Sequence, residues 1–274
     1  MIKGEVAIIT SKKDIASMNI KDKLLSMHPF KETSDYVFGN PLYKSKQLTL
    51  ITIEHDLVFA DFLEEKLDFK TFIFASRHES MAKLPSLLTH APGNFTNQVK
   101  LGGLPKRLCI ASPNAMLSAL KELKRQQIRQ GLSGWEVSFE ATHHGPFLEK
   151  TAAIFVEIGS SPNEWSNDKA GEAVASAILE AAFSDEKEEV SIAFGGPHYT
   201  PKISKYALDK EIPVGHIAPK YVLDELGEDM ILQMIERTRG YVKYALLDWK
   251  GMRSIHREKL TALLKNLGLE LVRL

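Results

Sequence analysis

The sequence predicts an α/β fold of three αβα layers, with a mixed, mostly parallel sheet between helices. Two observations carry that expectation. Strand-length apolar runs alternate with helix-length amphipathic segments through the C-terminal half, and helical connections of that length imply βαβ crossovers. Three of the strand-like runs also end in a histidine beside small or turn-forming residues. Open α/β sheets bind ligands outside the carboxyl ends of their strands, so these ends point to one site.

Taken in order, Val6-Ala7-Ile8-Ile9 reads as a first buried strand and residues 14–27 as the helix after it. Residues 47–53 alternate as a strand, residues 61–67 suit a short helix, and residues 71–75 form another strand. The stretch 77–98 reads as one long loop rich in Ser, His, Pro, Gly and Asn, and such loops are usually functional or disordered. A short strand near 108–111 leads into a helix over 113–130, opened by Pro113 and ended by Gly131. Strands are then expected at 135–141, 152–159, 189–195, 213–217 and 241–247, with helices near 166–183, 203–210, 225–238 and 254–266. Ala170, Ala173, Val174, Ala177, Ile178 and Ala181 give the first of these helices a face of small residues that can lie close to a sheet. No repeat, low-complexity tract or Pro/Ser-rich linker interrupts the chain, so a single domain over residues 1–274 is expected.

Composition narrows the function classes. The 35 basic residues balance 35 acidic ones, so no global field draws in nucleic acid or an anionic membrane, although a local basic patch stays open. Cys109 is the one cysteine, which excludes a disulfide framework and a cysteine-based zinc site. Met1-Ile2-Lys3-Gly4-Glu5 lacks the basic start and apolar core of a signal peptide, and the apolar runs are strand-sized, far short of a membrane span. A cytoplasmic protein is the expectation. There is no Gly-x-Ser-x-Gly elbow, phosphate-cradling Gly-Lys-Ser/Thr loop, Gly-x-Gly-x-x-Gly or His-Glu-x-x-His.

The chemistry-bearing residues cluster at the strand ends. His143 and His144 precede Gly145-Pro146; neighbours on a strand point to opposite faces, and a turn there relieves that restriction. Each could be a metal ligand or general base, or a structural histidine bonded to the backbone. Gly195 and Gly196 precede Pro197-His198, and paired glycines serve either close approach to a ligand or a sharp strand-to-helix turn. The loop after residue 75 offers Arg77 for a phosphate and His78 or His90 for a metal, with Asn94 nearby. Glu157 lies inside the apolar run Phe155 to Gly159, where a carboxylate needs a partner. Lys121, Arg125 and Arg129 form one helical stripe, suited to a phosphate backbone or simply to the helix dipole.

Glu140-Ala141-Thr142-His143-His144-Gly145-Pro146, Gly195-Gly196-Pro197-His198-Tyr199, and Ser76-Arg77-His78 with Thr89 to Phe95 together resemble the D-aminoacyl-tRNA deacylases of archaea and plants. The resemblance runs from the first strand to the final helix. It implies hydrolysis of the ester joining a D-amino acid to the tRNA 3′ end, a zinc cofactor and a phosphorylase/hydrolase-like fold. The partner it implies is the acceptor end of aminoacyl-tRNA, and a monomer is expected. With it, the expected catalytic residues are His144, His198 and Glu157, and the expected metal ligands His78, His143 and His198. Arg77, His90, Asn94, Gly195 and Gly196 are candidates for substrate binding, and Lys121, Arg125, Arg129 and Lys202 for tRNA. Spacing alone does not fix the ligand set: His144, Glu157 and, in reserve, His90 compete for it, and a metal-free mechanism stays open. A zinc peptidase, a nucleoside phosphorylase and a non-catalytic RNA-binding module are the rival readings. The even charge and 8% aromatic content count against the last.

Overall fold

The computed structural model describes residues 1–274, arranged around two main sheets that share a core, with a third sheet of only two short strands. The first half of the chain supplies β1 (Ile2–Ser11), α1 (Ile15–Met27), β2 (Lys31–Val37), β3 (Asn40–Ser45), β4 (Leu48–Ile53), β5 (Leu67–Glu79), β6 (Ser86–His90), β7 (Gly93–Asn94), β8 (Arg107–Leu108), α2 (Pro113–Arg129) and β9 (Glu136–Phe139). The second half supplies β10 (Ala152–Ser160), α3 (Pro162–Trp165), α4 (Asp168–Ala182), β11 (Glu189–Phe194), α5 (Pro201–Lys210), β12 (Val214–Ala218), α6 (Glu228–Glu236), β13 (Tyr241–Leu247), α7 (Ser254–Asn266) and β14 (Glu270–Arg273).

The larger sheet has eight strands in the order β2-β3-β4-β1-β5-β10-β6-β9. Its centre is parallel, while β2, β3 and β6 run antiparallel to neighbours. Alternation along β1 sends Ile8 to one face and Ala7 and Ile9 to the other. On the Ile8 face, α1, α2 and α4 cover the strands with Ile20, Leu24, Leu120, Val174 and Ile178. On the other face Phe72, Phe74 and Phe155 are covered by two 3-10 turns, through Leu57 and Leu63, and by Leu148. The smaller sheet is parallel throughout, in the order β12-β11-β13-β14. Ile203 and Ala207 of α5 pack on one face of it, and Met230, Met234, Leu260 and Leu264 of α6 and α7 on the other. No helix is long and apolar enough to cross a membrane.

The two sheets meet where the chain leaves β9. Glu140 bridges to Tyr199, the Thr142 N–H donates to the Ile217 carbonyl at 3.0 Å, and His143 bridges to Pro92. Residues 140–144 therefore cross a seam, with the larger sheet on one side and β12 and the loop after β11 on the other.

Several expectations are corrected. The stretch 77–98 is not one loop: β5 continues to Glu79, and β6 inserts between β10 and β9. Ser86, Thr89 and His90 look like loop residues, yet each is fully buried within the sheet. The β2–β3 hairpin and β14 were not anticipated, since β2 is polar and mostly exposed. The helix expected at 61–67 is a 3-10 turn over Asp61–Glu65, and the one expected at 166–183 is α4, capped by the Asn167 side chain, with the short α3 as a separate turn before it.

Candidate active site

Five of the nine histidines gather at the seam, beside a cavity of about 580 Å³. The end of β5 brings His78, the end of β6 brings His90, the crossing segment brings His143 and His144, and the loop after β11 brings His198. Ring centroids lie 4.2 Å apart for His90 and His143, 4.3 Å for His143 and His144, and 4.5 Å for His143 and His198.

Their donor atoms sort into two groups. His90, His143 and His144 form the first, each offering a ring nitrogen within 4.8 Å of the others. In all three, Nδ1–H donates to a backbone carbonyl: Ala91 at 3.1 Å, Ala141 at 2.8 Å and Gly145 at 2.6 Å. That leaves each Nε2 with a free lone pair, and the buried Nε2 of His90 has no hydrogen-bond partner. Burial pushes His90 down to about 4 and His144 to about 3, and lowers His143 too, with neighbouring imidazoles adding to the effect. Three neutral imidazoles, each oriented by a carbonyl behind it, form a donor set that could hold a zinc ion.

The second group is His78, Glu140 and His198. Glu140 Oε1 lies 2.9 Å from His198 Nε2 and 3.1 Å from His78 Nδ1, close in distance but off the hydrogen-bond direction, so its oxygens count as unpartnered. Glu157 Oε2 lies 3.7 Å from His78 Nδ1 and 3.8 Å from His90 Nε2. The Tyr199 hydroxyl sits 2.7 Å from His78 Nε2, and that of Tyr221 3.1 Å from His198 Nδ1. Burial opposes charge on His78, but the two carboxylates overcome it and raise the imidazole to about 11. Burial likewise raises Glu140, yet His198 and His78 outweigh it and hold that carboxyl well below its usual value. Glu157 goes the other way: burial, reinforced by Glu140, lifts it to about 8. Of two buried carboxyls sharing one imidazolium, Glu140 is ionised and Glu157 keeps its proton near neutrality.

Residues 65–272 match the family model for D-aminoacyl-tRNA deacylase. The chain belongs to the D-aminoacyl-tRNA deacylase family. It is 40% identical to the D-aminoacyl-tRNA deacylase of Thermococcus kodakarensis over 97% of this chain and 98% of that one. It is 38% identical to the D-aminoacyl-tRNA deacylase of Methanosarcina barkeri, over 98% and 89%. A crystal structure described as a conserved protein of unknown function is similar throughout, with a TM-score of 0.89 at 28% identity, covering 100% of this chain and 96% of that one.

Within this deacylase-family fold the expected site residues divide. His78, His143 and His198 do not fall in one donor group: His78 is held as a cation by the ionised Glu140 with Glu157 beside it, and it is His90 that stands with His143 and His144. His90, expected on the substrate, lies fully buried and stacked on Phe155 at 5.1 Å. Arg77 lines the cavity, with its N–H on Asp14 Oδ2 at 2.8 Å and its guanidinium over Trp165. Asn94 does not line it; its amide donates to the carbonyls of Gly102 at 2.9 Å and Leu104 at 3.2 Å. Gly195 and Gly196, at φ +90° and +79°, make the turn that presents His198, and a Cβ on Gly195 would stand 2.7 Å from Met252 Cγ.

The basic stripe is separated from the histidines. Lys121 pairs with Glu211, just before β12, and Arg125 with Glu122 at 2.5 Å. Gln127, between Arg125 and Arg129, bonds the Trp135 carbonyl just before β9. None of the stripe residues is among those that line the histidine cavity. Lys202 lies four residues after His198 but is paired with Asp248 at 2.6 Å. Sequence reasoning missed Glu140 and Tyr199 as site residues. The argument applied to Glu157, a carboxylate in an apolar strand needing a partner, applied equally to Glu140 after Phe139.

Proposed function

We propose that the chain is a D-aminoacyl-tRNA deacylase, hydrolysing the ester between a D-amino acid and the 3′-terminal ribose of tRNA. The observation that carries this reading is the neutral His90–His143–His144 trio, two of whose members line one cavity together with a carboxylate-backed His198, in a deacylase-family chain. An aminoacyl ester is already activated. Its hydrolysis needs a placed water, a base, stabilisation of the oxyanion and a proton for the departing oxygen.

The residues present fit zinc: the unpartnered, buried Nε2 of His90 faces a site whose other two histidines also have Nδ1 committed to carbonyls. Zinc held by His90, His143 and His144 would acidify water and polarise the scissile carbonyl. His198 lines the cavity with Nε2 toward Glu140, so its Nδ1 is free to exchange the Tyr221 hydroxyl for a water and take its proton. The ionised Glu140 then stabilises the imidazolium that results. Glu157, which holds its proton to about 8, lines the same cavity and can protonate the departing ribose oxygen. Selection of D over L esters would come from a wall that rejects the L side chain. An enzyme of this kind works where translation takes place, in the cytoplasm.

Single-turnover incubation with matched D- and L-aminoacyl-tRNA, with and without chelator, tests the reading. Cleavage of the D ester alone, lost on chelation and restored by zinc, is expected. Equal hydrolysis of both esters would overturn chiral selection. Full activity in protein shown metal-free by elemental analysis would overturn the zinc assignment and leave the substrate standing.

A further inference from the structure

We propose that Phe59 and Leu101, on the rim of the cavity, form the seat of the terminal adenine of tRNA. The assignment rests on the deacylase reading above and adds the part of the substrate that this rim recognises. Both side chains line the cavity, yet Phe59 is 49% and Leu101 57% exposed. The histidine end is polar and closed: His78 is 7% and Glu157 2% exposed. The cavity mouth thus has an apolar stretch of rim at Phe59 and Leu101, with Asp56, Arg77 and Glu79 elsewhere on the lining, above a polar floor.

The mouth is held rigidly in register with the floor. The Gly145 N–H, next to His144, donates to the Leu101 carbonyl at 2.9 Å, and Asn94 holds the carbonyls of Gly102 and Leu104. A Cβ on Gly102 would stand 1.8 Å from the Val58 carbonyl oxygen and 3.2 Å from Phe59 Cδ1. One on Gly145 would stand 2.2 Å from Gly103 N and 2.4 Å from the same oxygen. Three backbone segments therefore touch, and two exposed apolar side chains ride on a frame that is ordered before anything binds. Such preorganisation lowers the entropy lost on binding a planar apolar group.

The connectivity of the substrate selects which group that is. The amino acid is the free end of aminoacyl-tRNA, so it enters first and reaches the floor. The rest of the tRNA must leave through the mouth, and the base on the esterified ribose stays there. A base presents a flat π face to an aromatic ring whatever its sequence context, which Phe59 supplies, with Leu101 as the second apolar surface. Seating the amino-acid side chain at the rim would instead place the ribose at the closed floor, with no exit for the chain.

The test compares D-aminoacyl-tRNA bearing its natural 3′-terminal adenosine with the same tRNA ending in an abasic ribose, for wild type, Phe59→Ala, Leu101→Ala and Phe59→Trp. Wild type should prefer adenosine by about tenfold in kcat/KM, the order of one lost stacking contact. Phe59→Ala and Leu101→Ala should erase most of that preference through KM with kcat held, and Phe59→Trp should keep it. Because both side chains are half exposed, melting temperatures should stay at the wild-type value. An unchanged preference in both alanine variants overturns the proposal, as does a KM change that follows amino-acid size instead of the terminal base. Were wild type inactive on both tRNAs, calorimetric titration with adenosine 5′-monophosphate would judge the seat apart from the deacylase reading. Binding weakened by Phe59→Ala upholds the seat, and no binding by wild type overturns it.

Discussion

Replacing Glu140 by glutamine keeps the shape of a fully buried side chain and removes the charge that faces two imidazoles. Its Oε1 lies 2.9 Å from His198 Nε2 and 3.1 Å from His78 Nδ1. At an effective dielectric of about 20, each approach corresponds to roughly 5 kcal/mol of gross attraction. Most of that is offset by the desolvation of a carboxylate with no exposed surface. What remains for a charge forming on His198 during turnover is of the order of a charge-assisted hydrogen bond, about 1.5–3 kcal/mol. Glu140→Gln should therefore lower kcat about 10- to 100-fold. KM should hold, because Glu140 is not among the residues that line the cavity. The assay is single-turnover decay of D-aminoacyl-tRNA across substrate concentration, on protein checked by circular dichroism. A folded variant whose kcat stays within about a factor of two of wild type, or one that changes KM alone, would refute the role given to Glu140.

Two further outcomes follow from the same geometry. Glu157 is raised from 4.5 to about 8, so the folded state favours its protonated form, and the stability it contributes should be lost as pH rises from 4.5 through 8, against the opposite trend of the buried neutral His90 and His144. In thermal melts the stability of wild type relative to Glu157→Gln should therefore fall across that range; parallel curves would show that Glu157 ionises normally in the fold. Elemental analysis should find zinc reduced in His90→Ala and retained in His78→Gln, because only His90 belongs to the neutral trio; the reverse pattern would exchange the two groups.

The legible parts of this molecule are those in which chemistry and period agree. The apolar runs of β10, β11 and β13 and the small-residue face of α4 have the patterns of their elements, and three strand ends advertise histidines. β6 escapes that kind of reading because its buried Ser86, Thr89 and His90 are polar, so alternation marks no inner face. The edge strand β2 escapes for the opposite reason, being mostly exposed, and exposure leaves no apolar signature. The division into two sheets depends on which strands pair, and pairing partners lie far apart along the chain. The ligand trio has the same cause. His78 and His90 both end strands beside β10, and only the position of Glu140 and Glu157 decides which imidazole is charged and which is left free.

The seam between the sheets also determines how the centre fails. His90 belongs to one sheet, His198 to a loop of the other, and His143 and His144 to the segment that crosses between them. A small parting of the two sheets would separate these side chains while every helix and strand stayed intact. Sub-global openings of this kind have lower free energy than complete unfolding, and contacts between distant segments form late because their loops must close first. The centre is therefore expected to open before the scaffold does. On warming, loss of the aligned imidazoles should precede loss of helical ellipticity, so circular dichroism would overstate the temperature at which the centre remains whole.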